Sequence, residues 1–312
     1  MPVLSSSLFV SIGLVLCWSS GFIGTQMAAD ARLESLALFC WRFILAASLC
    51  LMLLLARRRR PTREPGAVAL ELAAGSLNVG GFLLGVVLAI DLGVSAGVTA
   101  LVTALQPLLA ALVMSRLHGE RIGAVGWLGS LLAAAGVSVA VGGDMQGLVA
   151  APWWAYLLPV LSAASLTAGS LLSTYRPAGL GLVERLMWQL LAAAALFALA
   201  SALRTGHAPA LPRFEPDIWR AIAFLVLLSS FGGYGFYIAC LRQRGVTYTA
   251  VMFYLTPPCT MLWAALQFGD GVDTAGWIGG GLAALGVMLA LRVVGQRRED
   301  AGPGASADAA AG

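Results

Sequence analysis

Long apolar runs alternate with short polar breaks from the first residues to about residue 294. Ten runs stand out, at 7–27, 35–56, 68–90, 95–115, 122–142, 154–174, 183–203, 218–240, 247–267 and 275–294, numbered segments 1 to 10 below. Each holds about the 20 apolar residues that carry a helix across the hydrocarbon of a bilayer. Polar punctuation separates them, most clearly at Arg57-Arg58-Arg59-Arg60-Pro61, at Gly142-Gly143-Asp144 and from Pro209 to Pro216. The joins near Asp91 and His118 are so short that the segments flanking them must be antiparallel neighbours.

Composition agrees with the pattern. Of 312 residues, 59% are hydrophobic and 11% charged, whereas a soluble domain carries about 25% charged residues. The outer surface therefore faces lipid, and the pattern predicts an all-α integral membrane protein. The first run does not read as a removable signal: MPVLSSS lacks a basic start, and the run continues through Cys17-Trp18-Ser19-Ser20-Gly21 without a cleavage site. The net charge of +4 comes from arginine alone, in loops, and is no nucleic-acid footprint. Cys17, Cys40, Cys50, Cys240 and Cys259 all lie in apolar runs without metal or disulfide spacing, so no metal and no cofactor is expected.

Basic residues in short loops set the orientation. With a cytoplasmic N-terminus, the inner loops hold Arg57 to Arg60, Arg63, Arg116, Arg121, Arg176, Arg185, Arg242, Arg244, Arg292, Arg297 and Arg298. The outer loops keep Arg32, Arg204, Arg213 and Arg220. Ten spans in the cell (inner) membrane with both termini cytoplasmic follow.

The chain also repeats itself. At an offset of 150, Thr99-Ala100 matches Thr249-Ala250, Pro107 matches Pro257, Gly126-Trp127 matches Gly276-Trp277, and Gly136-Val137 matches Gly286-Val287. With small shifts, Gly80-Gly81-Phe82 matches Gly232-Gly233-Tyr234, and Trp41-Arg42 matches Trp188-Gln189. Two five-segment repeats are expected, at 1–145 and 150–294, followed by a disordered cytoplasmic tail at 295–312. Because five is odd, the second copy must enter the membrane inverted, an arrangement many secondary transporters use around a midplane site.

Several stretches carry a resemblance. Leu16-Cys17-Trp18-Ser19-Ser20-Gly21-Phe22, Trp41-Arg42-Phe43, the run from Pro107 to Gly136 with Gly119-Glu120-Arg121, and its counterpart from Pro257 to Gly286 are the carriers. Together they resemble the drug/metabolite transporter superfamily, in its ten-span, two-repeat EamA branch. Asp270 and Gly271 depart from the Glu-Arg that the second repeat would be expected to keep. The resemblance implies a carrier of small metabolites or drugs, often outward, through a cavity lined by segments 1, 3, 4, 6, 8 and 9.

Candidate lining residues are polar or aromatic side chains inside those segments. Trp18 lies mid-segment, away from the interfaces where Trp usually sits, and reads as helix packing or as a stacking wall. Asn78 must face protein or a watery cavity, as a cavity group or interhelical glue. Its counterparts Ser229, Ser230, Tyr234 and Tyr237 make segment 8 the most polar-aromatic one, and the tyrosines combine flat rings with hydroxyls. Gln106-Pro107 and Thr256-Pro257-Pro258 interrupt segments 4 and 9 symmetrically. A proline frees a backbone carbonyl that a cavity can satisfy, so Pro107 and Pro257 are candidate hinges, with Thr103, Gln106, Tyr254 and Thr256 as lining residues. Arg42 is expected to snorkel to the outer interface, or else to attract an anion or pair with Asp30 or Glu34. Glu120 suits a helix N-terminus.

Glu71, Asp91, Asp144, Glu184 and Asp270 are all placed at ends or turns, so the cargo is expected to be neutral or zwitterionic. The implied partners are that small molecule and the bilayer, with homodimerisation open. An intramembrane enzyme is the alternative, and Asp144 and Asp270 its only suggestion, but both belong to outer turns and no catalytic motif is present. A channel or non-transporting scaffold is the remaining reading.

Overall fold

The computed structural model describes residues 2–30, 34–62, 64–106, 108–109, 113, 124–144, 151–174, 180–253, 255–269 and 274–300. These are helical apart from short connections. Segment 1 is the helix Pro2–Asp30, segment 2 Ser35–Ala56, segment 5 Ala124–Asp144, segment 6 Leu157–Thr174 and segment 7 Leu182–Thr205. Seven helices, those of segments 1, 2, 3, 5, 6, 7 and 8, are long and apolar enough to cross a membrane among the described residues. Leu131, Leu161, Leu203 and Leu266 expose their side chains, as a lipid-facing surface allows.

Segments 3 and 8 share an irregularity at equivalent places. Segment 3 runs Pro65–Gly75, widens into a π turn over Ser76–Gly81, and resumes as Phe82–Asp91. Segment 8 runs Pro216–Phe224, widens over Leu225–Gly233, and resumes at Tyr234. Both π turns end in Gly-Gly followed by an aromatic residue. A π turn inserts a residue into the helical ladder and is common at functional sites.

Helical hydrogen bonding then continues from Tyr234 to Phe253, across the expected join of segments 8 and 9. On a straight helix Tyr237 and Phe253 would stand about 24 Å apart. Their rings stack at 5.8 Å, so the chain reverses between them and segments 8 and 9 are antiparallel neighbours. Segment 4 begins as Ala96–Thr103, capped by Ser95, whose hydroxyl accepts from the Val98 N–H at 3.2 Å. Segment 9 restarts as Thr256–Phe268, closed by Gly269 at φ 74°. Segment 10, Thr274–Asp300, runs past its expected end at 294.

The segments pack in matched pairs: 1 with 8 and 3 with 6, then 2 with 7, 4 with 9 and 5 with 10. Glycine permits the closest approaches. A Cβ on Gly136 would meet the backbone of Gly279 and Ala283, and one on Gly286 would meet that of Gly129 and Ala133. Each contact is the other displaced by the repeat offset, and positions rise on one helix as they fall on the other. The small-residue stripes therefore form one self-complementary antiparallel seam. Trp127 and Trp277 stay half exposed on either side of it.

Candidate functional site

Where segments 1, 3 and 8 meet, Trp18 packs among four rings. Its centroid lies 5.6 Å from Phe82, 5.3 Å from Tyr234, 5.4 Å from Tyr237 and 4.6 Å from Phe253. The contact with Tyr234 is edge-on, which suits aromatic quadrupoles, and the other three are tilted. Close approach of segments 1 and 8 brings the rings together: a Cβ on Gly232 would lie 2.6 Å from the Cys17 sulfur, and one on Gly21 2.9 Å from Ser229 Oγ. Beside the cluster is a cavity of about 10 Å³ bounded by Trp18, Gly21, Phe22, Phe82, Ser229 and Tyr234, with Leu83 and Val86 behind. That is room for about one water molecule. The Tyr237 hydroxyl is bonded to Ser170 of segment 6 at 3.0 Å, while the buried Tyr234 hydroxyl has no partner.

Arg42 corrects a sequence expectation. It does not snorkel: its side chain is completely buried, about 10 Å along the helix that starts at Ser35. Its Nε donates to Ser230 Oγ at 3.0 Å and its Nη2 to Ser229 Oγ at 2.6 Å, both in the segment 8 π turn. The guanidinium carbon lies 4.9 Å from the ring centres of both Phe39, about one turn back on its own helix, and the adjacent Phe43. Nη1 has no partner, and no carboxylate pairs with Arg42 among the described residues. Glu34 accepts instead from Ser201 at 2.7 Å. Sequence reasoning placed Arg42 by its distance from the helix end. The available signal was the spacing Phe39-Arg42-Phe43, which sets two rings and the cation on one helical face.

The polar candidates form a second group around the breaks in segments 4 and 9. Ser19 Oγ donates to the Thr256 carbonyl and Thr167 Oγ1 to the Gln106 carbonyl, each at 3.4 Å. Thr256 and Gln106 are equivalent across the repeat, so each half sends one hydroxyl to the break in the other. Gln106 Oε1 and Thr256 Oγ1 are buried without partners. Thr103 bonds its own helix, at the Thr99 and Ala100 carbonyls. Pro257 is buried in the first turn of the segment 9 helix, where its missing N–H costs nothing. Pro107, Tyr254 and the Glu120-Arg121 turn lie outside the described residues.

Asn78 stands apart from the aromatic cluster, in the segment 3 π turn against segment 6. Its Nδ2 donates to Ser173 Oγ at 3.1 Å, and Gly169 leaves it the space that a Cβ would take. Its Oδ1 is buried without a partner. Glu71, placed by the sequence at a segment end, is buried; it accepts from Gln189 Nε2 at 2.9 Å and lies 3.6 Å from Arg185 Nε.

The profile of the EamA-like transporter family matches residues 5–142 and again 153–292. A search of curated proteins returns no match. Among solved structures, a crystal structure of a protein 23% identical covers 93% of this chain and 99% of its own, with a TM-score of 0.63. That likeness speaks to the fold alone.

Proposed function

The chain belongs to the EamA-like transporter family, and from that premise we propose a secondary transporter that exports small neutral or zwitterionic metabolites or drugs. Ten spans form two inverted five-helix repeats, 1–145 and 150–294, with both termini cytoplasmic in the cell membrane. Access alternates around a central cavity, and Pro107 and Pro257 act as hinges. Trp18, Tyr234 and Tyr237 stack the cargo; Asn78, Thr103, Gln106, Tyr254 and Thr256 supply polar contacts.

The observation that carries this reading is the ring cluster around Trp18, with a small cavity beside it lined by Tyr234, whose buried hydroxyl is unpaired. Unsatisfied buried polar groups are costly, and a cargo's polar atoms can satisfy them. The matched pairing of segments and the antiparallel 5–10 seam support the inverted repeats. A cavity with room for about one water supports an occluded carrier over an open channel.

Purified protein in vesicles, screened with radiolabelled amino acids and small metabolites, should give saturable uptake. Trp18→Ala and Tyr234→Ala should each cut it at least tenfold or change the order of substrates. Equal flux and selectivity in both variants would remove the cavity from the mechanism. Uptake should also persist after an uncoupler is added; complete loss with the substrate gradient intact would mean that protons drive it.

A further inference from the structure

We propose that Arg42 holds the carboxylate of the cargo, which is therefore a small amphipathic acid or zwitterion with an apolar body. The inference rests on the transporter reading above and revises its substrate class: zwitterions stay, uncharged cargo drops out and simple carboxylates are added.

Three observations converge on it. First, a permanent charge is fully buried in a membrane segment with no carboxylate against it among the described residues. Ionisable groups at such depth are expensive and mark pathways for substrates or ions. The two serine hydroxyls and two ring faces compensate part of that cost, but they bring no negative charge. Second, the donor set is incomplete: Nη1 and the Tyr234 hydroxyl are both buried and both without partners. A carboxylate accepts from several donors at once, and guanidinium binds it through two parallel N–H bonds. Third, Arg42 is one hydroxyl away from the cavity. Ser229 accepts from its Nη2 and also lines the cavity with Trp18, Phe82 and Tyr234. The walls offer rings to an apolar body, and the cation lies behind the Ser229 hydroxyl, outside the lining itself. The cavity is too small for such a molecule as it stands, so entry requires segments 1 and 8 to part along their glycine contacts.

A purely structural brace for the π turn is the rival role, and charge selectivity separates the two. The full chain, purified in detergent, is melted with matched acid and amide pairs: 3-phenylpropionate and its amide, phenylalanine and its amide, leucine and its amide. At least one acid should raise the melting temperature while its amide does not. Arg42→Gln should need at least tenfold more acid for the same shift, and Arg42→Lys, a point charge without the fork, should fall between. Amides that match their acids, no shift with any acid, or a Gln variant that responds like wild type each overturn the assignment. Counterflow in vesicles then distinguishes the two levels. An acid that binds through Arg42 but shows no saturable flux overturns the transporter reading and leaves the site. Saturable amide flux at the same rate in wild type and Arg42→Gln leaves the transporter and overturns the site.

Discussion

Two junctions of this protein are equivalent across the repeat and differ in charge balance. In the first, segment 2 meets the segment 8 π turn, and Arg42 gives Nε and Nη2 to Ser230 and Ser229, with no carboxylate paired to it among the described residues. In the second, segment 7 meets segment 3, and Gln189 gives its donor to Glu71, whose charge Arg185 balances. Both polar residues follow a tryptophan, Trp41 and Trp188, and both face a helix with a Gly-Gly-aromatic π turn. The scaffold was kept through the repeat and the electrostatics were not. The closed junction balances its charge internally, although the Trp188 N–H is buried without a partner; the open one leaves its charge for a cargo to balance.

Substituting apolar residues at each centre should separate stability from function most widely. Glu71→Leu removes the acceptor of Gln189 and leaves Arg185 without its partner. Breaking a buried pair costs about 3 kcal/mol or more, and the partial exposure of Arg185 brings this to about 2 kcal/mol. The expected result is a fall of several degrees in the detergent melting temperature. Arg42→Met removes a charge that nothing balances, and Ser229 and Ser230 can bond their own helix instead. Its melting temperature should hold or rise while acid-dependent stabilisation disappears. Activity held at the expense of stability is the usual mark of a functional site. Equal melting losses in both variants would break the comparison.

A smaller effect comes from the glycines that set the helix spacing. At the closed junction a Cβ on Gly75 would fall onto the Gln189 backbone, which cannot rotate away. Beside the open one, a Cβ on Gly21 meets the Ser229 hydroxyl at 2.9 Å, and that side chain can turn. Overpacking costs about 1–3 kcal/mol, and the helix-propensity gain of Gly→Ala is common to both sites. Gly75→Ala should therefore melt earlier than Gly21→Ala, with the difference about 2 kcal/mol. Gly21→Ala should instead disturb acid binding, because Ser229 must move.

The residues that could be read from the sequence are those whose chemistry contradicts their surroundings. A tryptophan mid-segment and two tyrosines in an apolar helix announced Trp18, Tyr234 and Tyr237, and the fold brings all three together. Helicity and membrane residence followed from run length, the repeat from glycine, proline and tryptophan in register, and the family resemblance from the stretches around Trp18 and Trp41 and the runs from Pro107 and Pro257. Arg42 was misread because snorkelling is a matter of which way a side chain turns, and position along one helix does not fix that. The decisive neighbours, Ser229 and Ser230, lie almost 190 residues away and reach Arg42 only because the π turn presents them there. Glu71 was discounted for a similar reason: closeness to a helix end was taken for exposure, whereas segment 7 covers it. Asn78 was legible as a group needing a partner, but the partner, Ser173, depended on the 3–6 packing.

The smallest effect expected is at the opposite end of segment 7, where Arg204 Nη1 lies 3.2 Å from Asp91 Oδ2. This bond is shorter than the 3.6 Å between Arg185 and Glu71, and by distance alone it should matter more. Burial reverses the order. The Arg204 side chain is 55% exposed against 19% for Arg185, so water competes for it and salt screens it. Asp91 also keeps a bond from Ser35 Oγ at 2.6 Å, so losing Arg204 leaves no bare carboxylate. Exposed pairs contribute about 0.2–1 kcal/mol, and Arg204→Ala should cost about 0.5 kcal/mol at low salt and less as salt rises. Glu71→Leu should keep most of its cost under the same titration, because its partner is mostly out of reach of the ions. If salt erased both losses equally, the second junction would be no more closed than a surface pair, and the contrast with Arg42 would have to rest on charge alone.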